Sequence, residues 1–271
     1  MPLAGSIEQL IVAEVASTAY HPRTSKHSDA QSLVIIRDLL AACSLLASRA
    51  STGELVGKLR HHQQVGHGDW VIDIALGTPP GNPQPPKTGD LIRFTEPTLI
   101  QIAIELKSIW TEHGKARKNR LRDFEAFHNY AHDYSQKTVA AAFLVVNAAE
   151  YFLSPLNLDA RNREPITRHW QKAKSASQVV KGAIDIFRSI HLRNYESDAP
   201  GLEALGVVVV QHDNLNYLDG RPQYDAIANK YRHLRKPSMS ALAPPALKVG
   251  DPLHYQTMIQ RICNAYRDRF P

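Results

Sequence analysis

Two stretches, 70–76 and 99–107, constrain this chain more than any other part of it. They read Trp70-Val71-Ile72-Asp73-Ile74-Ala75-Leu76 and Leu99-Ile100-Gln101-Ile102-Ala103-Ile104-Glu105-Leu106-Lys107. Apolar, β-branched runs bounded by Gly and Pro make buried strands, yet each of these carries a carboxylate inside it. A buried carboxylate without compensation is costly, so something must hold each one. Side chains alternate along a strand, so Glu105 and Lys107 leave one face of the sheet and Leu106 the other. If the two strands are neighbours, Asp73 joins Glu105 and Lys107 at one place.

Two carboxylates and an ammonium together are suited to one kind of chemistry. The carboxylates hold a hard, oxygen-preferring cation such as Mg²⁺, leaving room for water and a substrate phosphate. A metal there polarises the phosphorus and acidifies a water, while the lysine orients that water or stabilises developing charge. Hydrolysis of a phosphodiester is the reaction this arrangement points to. At these residues the chain resembles the PD-(D/E)xK nuclease superfamily, whose best-known members are type II restriction endonucleases. The family pattern is an Asp on one strand, a variable loop, and Glu-x-Lys on the next, matched here by Asp73 and Glu105-Leu106-Lys107. The resemblance implies that Asp73 and Glu105 are metal ligands, that the Leu106 carbonyl adds an oxygen, and that Lys107 is the catalytic lysine. It covers roughly residues 30 to 147. Its interval is long, 32 residues from Asp73 to Glu105, and requires an inserted loop. Asp69, at the mouth of its strand, is the alternative first acid, and Glu54 and Asp38 are candidates for an extra one.

The rest of the chain supplies the elements such a core requires. A helix is expected over residues 6 to 18, and a second from Ser28-Asp29 to about Ser48 with Leu33, Ile36, Leu39, Leu40, Cys43 and Leu46 as its buried stripe. Residues 51–68 are ambiguous; a strand around Leu55 to Leu59 pairing with Trp70–Leu76 suits the resemblance, with Gly66-His67-Gly68 as a turn. Gly77 to Asp90 is too dense in Pro and Gly for a regular element and reads as the inserted surface loop. After Lys107 come Lys115, Arg117, Lys118, Arg120 and Arg122, placed where contacts to DNA phosphates are useful; the competing reading is a solvated helix face paired with Asp123 and Glu125. Helical periodicity follows through Leu121, Phe124 and Phe127. Thr138 to Val146 is a near-continuous apolar run, expected of a strand covered on both faces. Further on, a long helix is expected over Ile166–Leu192, a strand over Gly206–Gln211, a short helix over Tyr224–His233 and a closing helix over Pro252–Phe270.

His128 and His132 stand four apart on the expected helix, as two zinc ligands would, but no zinc-protease signature accompanies them and a solvent-facing pair is the simpler reading. His61, His62 and His67 read as a polar turn. No P-loop, dinucleotide-binding glycine motif or nucleophile elbow is present, which leaves ATPase, dehydrogenase and serine-hydrolase functions without support. Lys and Arg number 32 against 26 Asp and Glu, a formal +6 with a pI near 9.3, compatible with a polyanionic partner. The two cysteines, Cys43 and Cys263, are far apart and lie in apolar helical patterns, which argues against a disulfide scaffold and for a reducing compartment. No signal-type N-terminus and no run of about 18 apolar residues is present, so a cytoplasmic protein is expected.

The expectation is therefore an α/β chain with a central mixed β-sheet flanked by helices. It forms a single restriction-endonuclease-like domain over 1–271, with its catalytic core at roughly 30–147 and a helical and strand C-terminal extension at 148–271. Its expected role is that of a Mg²⁺-dependent endonuclease of double-stranded DNA, of restriction-enzyme type and acting as a homodimer. The alternatives are a junction-resolving or repair nuclease, and a non-catalytic DNA-binding protein in which Glu105 and Lys107 form only a salt bridge.

Overall fold

A computed structural model of the chain describes residues 7, 9–11, 13–15, 26–110, 113–149, 176–212, 214, 238–239 and 246–271. The helix expected over Tyr224–His233 lies outside the described residues, as does the first part of that expected over Ile166–Leu192.

The residues described between 7 and 15 are helical. The order after them is α1 (Lys26–Ala42), α2 (Ser44–Thr52), β1 (Val56–Val65), β2 (Gly68–Thr78), β3 (Arg93–Phe94), β4 (Leu99–Ile109), α3 (His113–Tyr134), β5 (Val139–Asn147), α4 (Ala176–Phe187), β6 (Ala204–Gln211), β7 (Ser238–Met239) and α5 (Tyr255–Arg269). The strands form one mixed sheet in the order β3-β1-β2-β4-β5-β6-β7. β1, β2 and β4 pair antiparallel, whereas β4, β5 and β6 run parallel. The chain is thus α/β, with a central mixed sheet flanked by helices.

Two apolar layers cover the sheet. On one face Ile35 and Leu39 of α1, Leu46 of α2 and Met258 and Ile262 of α5 pack on Ile74, Ile104, Phe143 and Val208. On the other, Phe124 and Phe127 of α3 and Ile184 and Phe187 of α4 pack on Ile72, Leu144 and Val209. Every residue of β5 is buried, which is why that strand reads as an unbroken apolar run. Residues from both sides of position 147 share these layers.

The helix expected to run to about Ser48 is two helices. Cys43 adopts an extended conformation (φ −122°, ψ 98°), and α1 and α2 meet there at 110°. The bend lets Leu39 and Leu46 enter the same core from different directions, which a straight helix across a sheet of finite width does not allow. The buried stripe accordingly runs through Val34, Ile35, Ile36 and Leu39, and Leu33 is left exposed. The ambiguous segment after it is strand from Val56 to Val65, longer than the Leu55 to Leu59 expected, and it pairs with β2. His61 and His62 therefore belong to β1 and only His67 to the turn. Among the described residues no single helix is long and apolar enough to cross a membrane.

The loop between β2 and β4 is irregular from Pro79 to Ile92 and is seated by two glycines. A Cβ at Gly53, which ends α2 at φ +80°, would lie 1.9 Å from the Gln84 carbonyl oxygen; one at Gly77 would lie 1.9 Å from that of Leu99. Backbone approaches backbone at both points, and only glycine permits it.

Candidate active site

The site forms where two strands part. β2 and β4 pair from Thr78↔Leu99 as far as Ile74↔Ile104. Beyond that point β2 continues toward Gly68 paired with β1, and β4 continues toward Ile109 paired with β5. Asp73 and Glu105 are the first residues past the last pair, so they sit opposite one another at the apex of the fork. The parting frees backbone groups on the inner edges, and Asp73 uses one: the Leu106 N–H donates to its Oδ2 at 2.7 Å. A strand residue's N–H and C=O point to the same edge, so the Leu106 carbonyl also faces the fork. Lys107 donates from Nζ to Glu105 Oε1, on the face opposite Leu106, which packs among the residues of the α1–α5 layer.

The electrostatics follow from burial. Glu105 is 8% exposed, and burial pushes its carboxyl up to about 7; the Asp73 charge adds to the rise and Lys107 opposes it. Burial likewise holds the Asp73 carboxyl above its usual range, against the pull of the Leu106 N–H and Lys107, while Asp29 on α1 pushes it further up. Two crowded carboxyls that both resist ionisation are what a divalent cation between them would relieve. Two carboxylates with a backbone carbonyl are a donor set suited to Mg²⁺, which keeps water and substrate oxygens in the rest of its shell. Among the described residues no group of three or more His, Cys, Asp or Glu is arranged to hold a metal ion.

The competing acids are engaged elsewhere. Asp69 lies four residues along the diverging strand, about 13 Å from Asp73 at the rise of a strand, and pairs with His62 at 3.0 Å in a largely exposed position. Asp38 is buried, accepting from the Tyr255 hydroxyl at 2.9 Å and from Arg37. Glu54 is exposed beside Gly53 at the end of α2. The acid that does approach is Asp29, which sequence reasoning treated only as a helix start. Its Oδ1 lies 3.5 Å from Nε of Arg60, a second residue that the sequence did not single out. The local cue to Asp29 was its place at the start of the helix that packs beside these strands; nothing in the sequence marked Arg60.

The basic residues of α3 separate into two kinds. Arg117 donates to the Gly182 carbonyl at 2.7 Å and ties α3 to α4. Arg120 pairs with Asp123 at 2.8 Å and reaches the Ser108 carbonyl at 3.4 Å. Lys115, Lys118 and Arg122 are exposed. His128 and His132 are buried rather than solvent-facing: their helix turns that side toward the segment before β6, where Nε2 of His132 donates to the Gly201 carbonyl at 2.8 Å. Cys43 and Cys263 are both fully buried in one core, and burial, with a hydrogen bond between the two thiols, pushes that of Cys263 up to about 12.

A second charged cluster lies where β5 and β6 begin. Glu203, just before β6, is 1% exposed, pairs with Arg193 at 3.0 Å, and accepts from Arg269 at 2.8 Å and the Ala140 N–H at 2.5 Å. It clamps β5, β6 and α5 together at the N-terminal ends of the parallel strands. Compared with family models, with curated proteins and with solved structures, the chain finds no match in any of the three.

Proposed function

We propose that this protein is a Mg²⁺-dependent endonuclease that hydrolyses phosphodiester bonds of double-stranded DNA, with site-specific cleavage of the restriction type as its role. The observation that carries the reading is the meeting of Asp73 and Glu105 at the fork of β2 and β4, with Lys107 on the same face as Glu105. Asp73, Glu105 and the Leu106 carbonyl would hold the ion. Bound there, Mg²⁺ supplies Lewis-acid activation of the phosphodiester and lowers the pKa of a water. Lys107, partly exposed beside Glu105, keeps donors of its ammonium for the attacking water or the developing negative charge. Lys115, Lys118 and Arg122 carry the phosphate contacts of α3, since Arg117 and Arg120 are committed to holding the helix.

The test is incubation with long duplex DNA and Mg²⁺. Discrete fragments that disappear with EDTA, and with Asp73→Asn or Glu105→Gln in a folded protein, are the expected result. A folded wild-type protein that leaves DNA intact, or an Asp73→Asn variant that cuts as well as wild type, removes the reading. One observation favours a binder without catalysis: the Lys107–Glu105 ion pair by itself neutralises a buried carboxylate. That alternative predicts Mg²⁺-independent DNA binding and no fragments.

A further inference from the structure

We propose that Arg60 grips a DNA phosphate at the candidate site and that β1 is distorted to aim it there, an inference that rests on the nuclease reading above. Arg60 lies inside β1 with φ +51°. An L-residue with a side chain is strained in that region, and glycine is the residue that occupies it freely. A strained non-glycine position inside a regular strand, next to a candidate site, points to a use for its side chain.

The distortion has a definite place. β1 and β2 pair at Leu59↔Ile74 and at His61↔Ile72, and the intervening pair, Arg60 with Asp73, is skipped. The pleat changes phase there. Ile74 packs in the α1–α5 layer and Ile72 in the α3–α4 layer, although residues two apart on a regular strand share a face. Leu59 and Val65 divide between the same two layers. The irregularity thus falls on the row that sets Arg60, Asp73 and Glu105 on three successive strands.

The register sets Arg60 beside Asp73 on the neighbouring strand. Its guanidinium approaches Asp29 at 3.5 Å, more than half of the side chain is exposed, and the Asp29 charge is felt at Asp73. Asp29, Asp73 and Glu105 make the fork acidic, so a phosphodiester needs positive charge on more than one side to approach it. Lys107 and the exposed residues of α3 supply it from the face covered by α3. Arg60 supplies it beside α1, on the helix layer of the opposite face. A guanidinium is suited to the task because it engages two phosphate oxygens at once and stays charged.

The experiment compares wild type, Arg60→Gly and Arg60→Lys for melting temperature, cleavage of duplex DNA with Mg²⁺, and DNA affinity as a function of salt. Glycine relieves the backbone strain, so Arg60→Gly should melt at the wild-type temperature or about 2 °C above it. Its kcat/KM should nonetheless fall roughly 10- to 100-fold, chiefly through KM, with a salt slope smaller by about one unit. Arg60→Lys, which keeps the charge but not the fork of donors, should fall between the two. Arg60→Gly with wild-type cleavage and salt slope overturns the proposal and leaves the nuclease reading standing. Loss of activity in step with a lowered melting temperature in both variants also overturns it, by making Arg60 structural. A folded wild-type protein that neither binds nor cuts duplex DNA removes the nuclease reading, and this proposal with it.

Discussion

Lys107 carries the heaviest demand of any single side chain in this protein. If it serves the attacking water, Lys107→Ala should reduce cleavage by about 10²- to 10³-fold, the usual effect of deleting one electrostatic stabiliser. DNA affinity should change little, because one lysine among many phosphate contacts shifts the salt slope by about one unit. The stability cost should stay below the roughly 3–5 kcal/mol of breaking a wholly buried ion pair, because Glu105, pushed up to about 7, can take up a proton once its partner is gone. Melting and cleavage measured on the same variant decide the matter: early melting with wild-type turnover in the folded fraction would make Lys107 structural. His132 and His212 give a separate prediction. Burial, the first cause for each, holds both down to about 4, below the 6.5 of an unfolded histidine. Between pH 6.5 and 4 the unfolded chain therefore binds protons that the native state refuses. The stability these residues preserve is complete above about 6.5 and is lost as pH falls toward 4, at about 1.4 kcal/mol per pH unit for each. Glu203, 3.8 Å from Nε2 of His132, gives a protonated ring little relief, since Arg193 and Arg269 already occupy it. Urea titrations across this range should show the slope, and His132→Asn should remove about one proton's worth of it.

At the scale of elements, the sheet is fastened where β5 and β6 begin and opened where β2 leaves β4. Glu203, the strand-start residue that meets Arg193, Arg269 and the Ala140 N–H, holds β5, β6 and α5 in register. Glu203→Gln should destabilise the protein by about 3–5 kcal/mol, because it leaves two buried guanidinium groups without a countercharge. Thermal melts read this directly, and cleavage by the folded fraction should be unchanged because the partners of Glu203 are Arg193, Arg269 and the Ala140 N–H, none of which belongs to the fork. Loss of turnover without loss of stability would instead connect the clamp to the fork. The bend at Cys43 and the parting of β2 from β4 are decisions of the same kind. Helical periodicity ran through Cys43 without interruption, and two apolar strand patterns carried no mark of where their pairing stops. In each case packing decided the geometry: α1 and α2 both had to reach one core, and β2 turned from β4 to remain with β1.

For the whole molecule, the formal +6 sets the expectation of strong salt dependence in any contact with a polyanion. On the proposed nuclease reading, a single fork would handle one phosphodiester, whereas a duplex presents two related by a local dyad, which a C₂ dimer matches. Light scattering on the DNA complex should therefore give twice the 30.2 kDa of the chain plus the mass of one duplex. A monomer that still cuts would turn the reading from a symmetric cutter to a nicking or repair enzyme.

The two acid-bearing strands, β5, β6 and the helices that cover them were legible, because each rests on local periodicity, turn residues and burial pattern, whereas residues 51–68, which contain β1, stayed ambiguous. Asp73, Glu105 and Lys107 stood out for the same local reason, a charge where a buried strand should have none. What the amino-acid order could not contain was which groups meet across the fold. Asp38 and Glu54 were the extra acids the sequence offered and Asp29 was not, yet Asp29 raises the carboxyl of Asp73 while Tyr255 and Arg37 take Asp38. Arg60 fell outside the strand expected at Leu55 to Leu59, and nothing local marked the left-handed backbone it adopts opposite Asp73. His128 and His132 looked solvated until the segment before β6 closed over them. Charge and periodicity are properties of a residue and its neighbours in the chain; contact, strain and burial are properties of the packed sheet and helices, and only tertiary structure decides them.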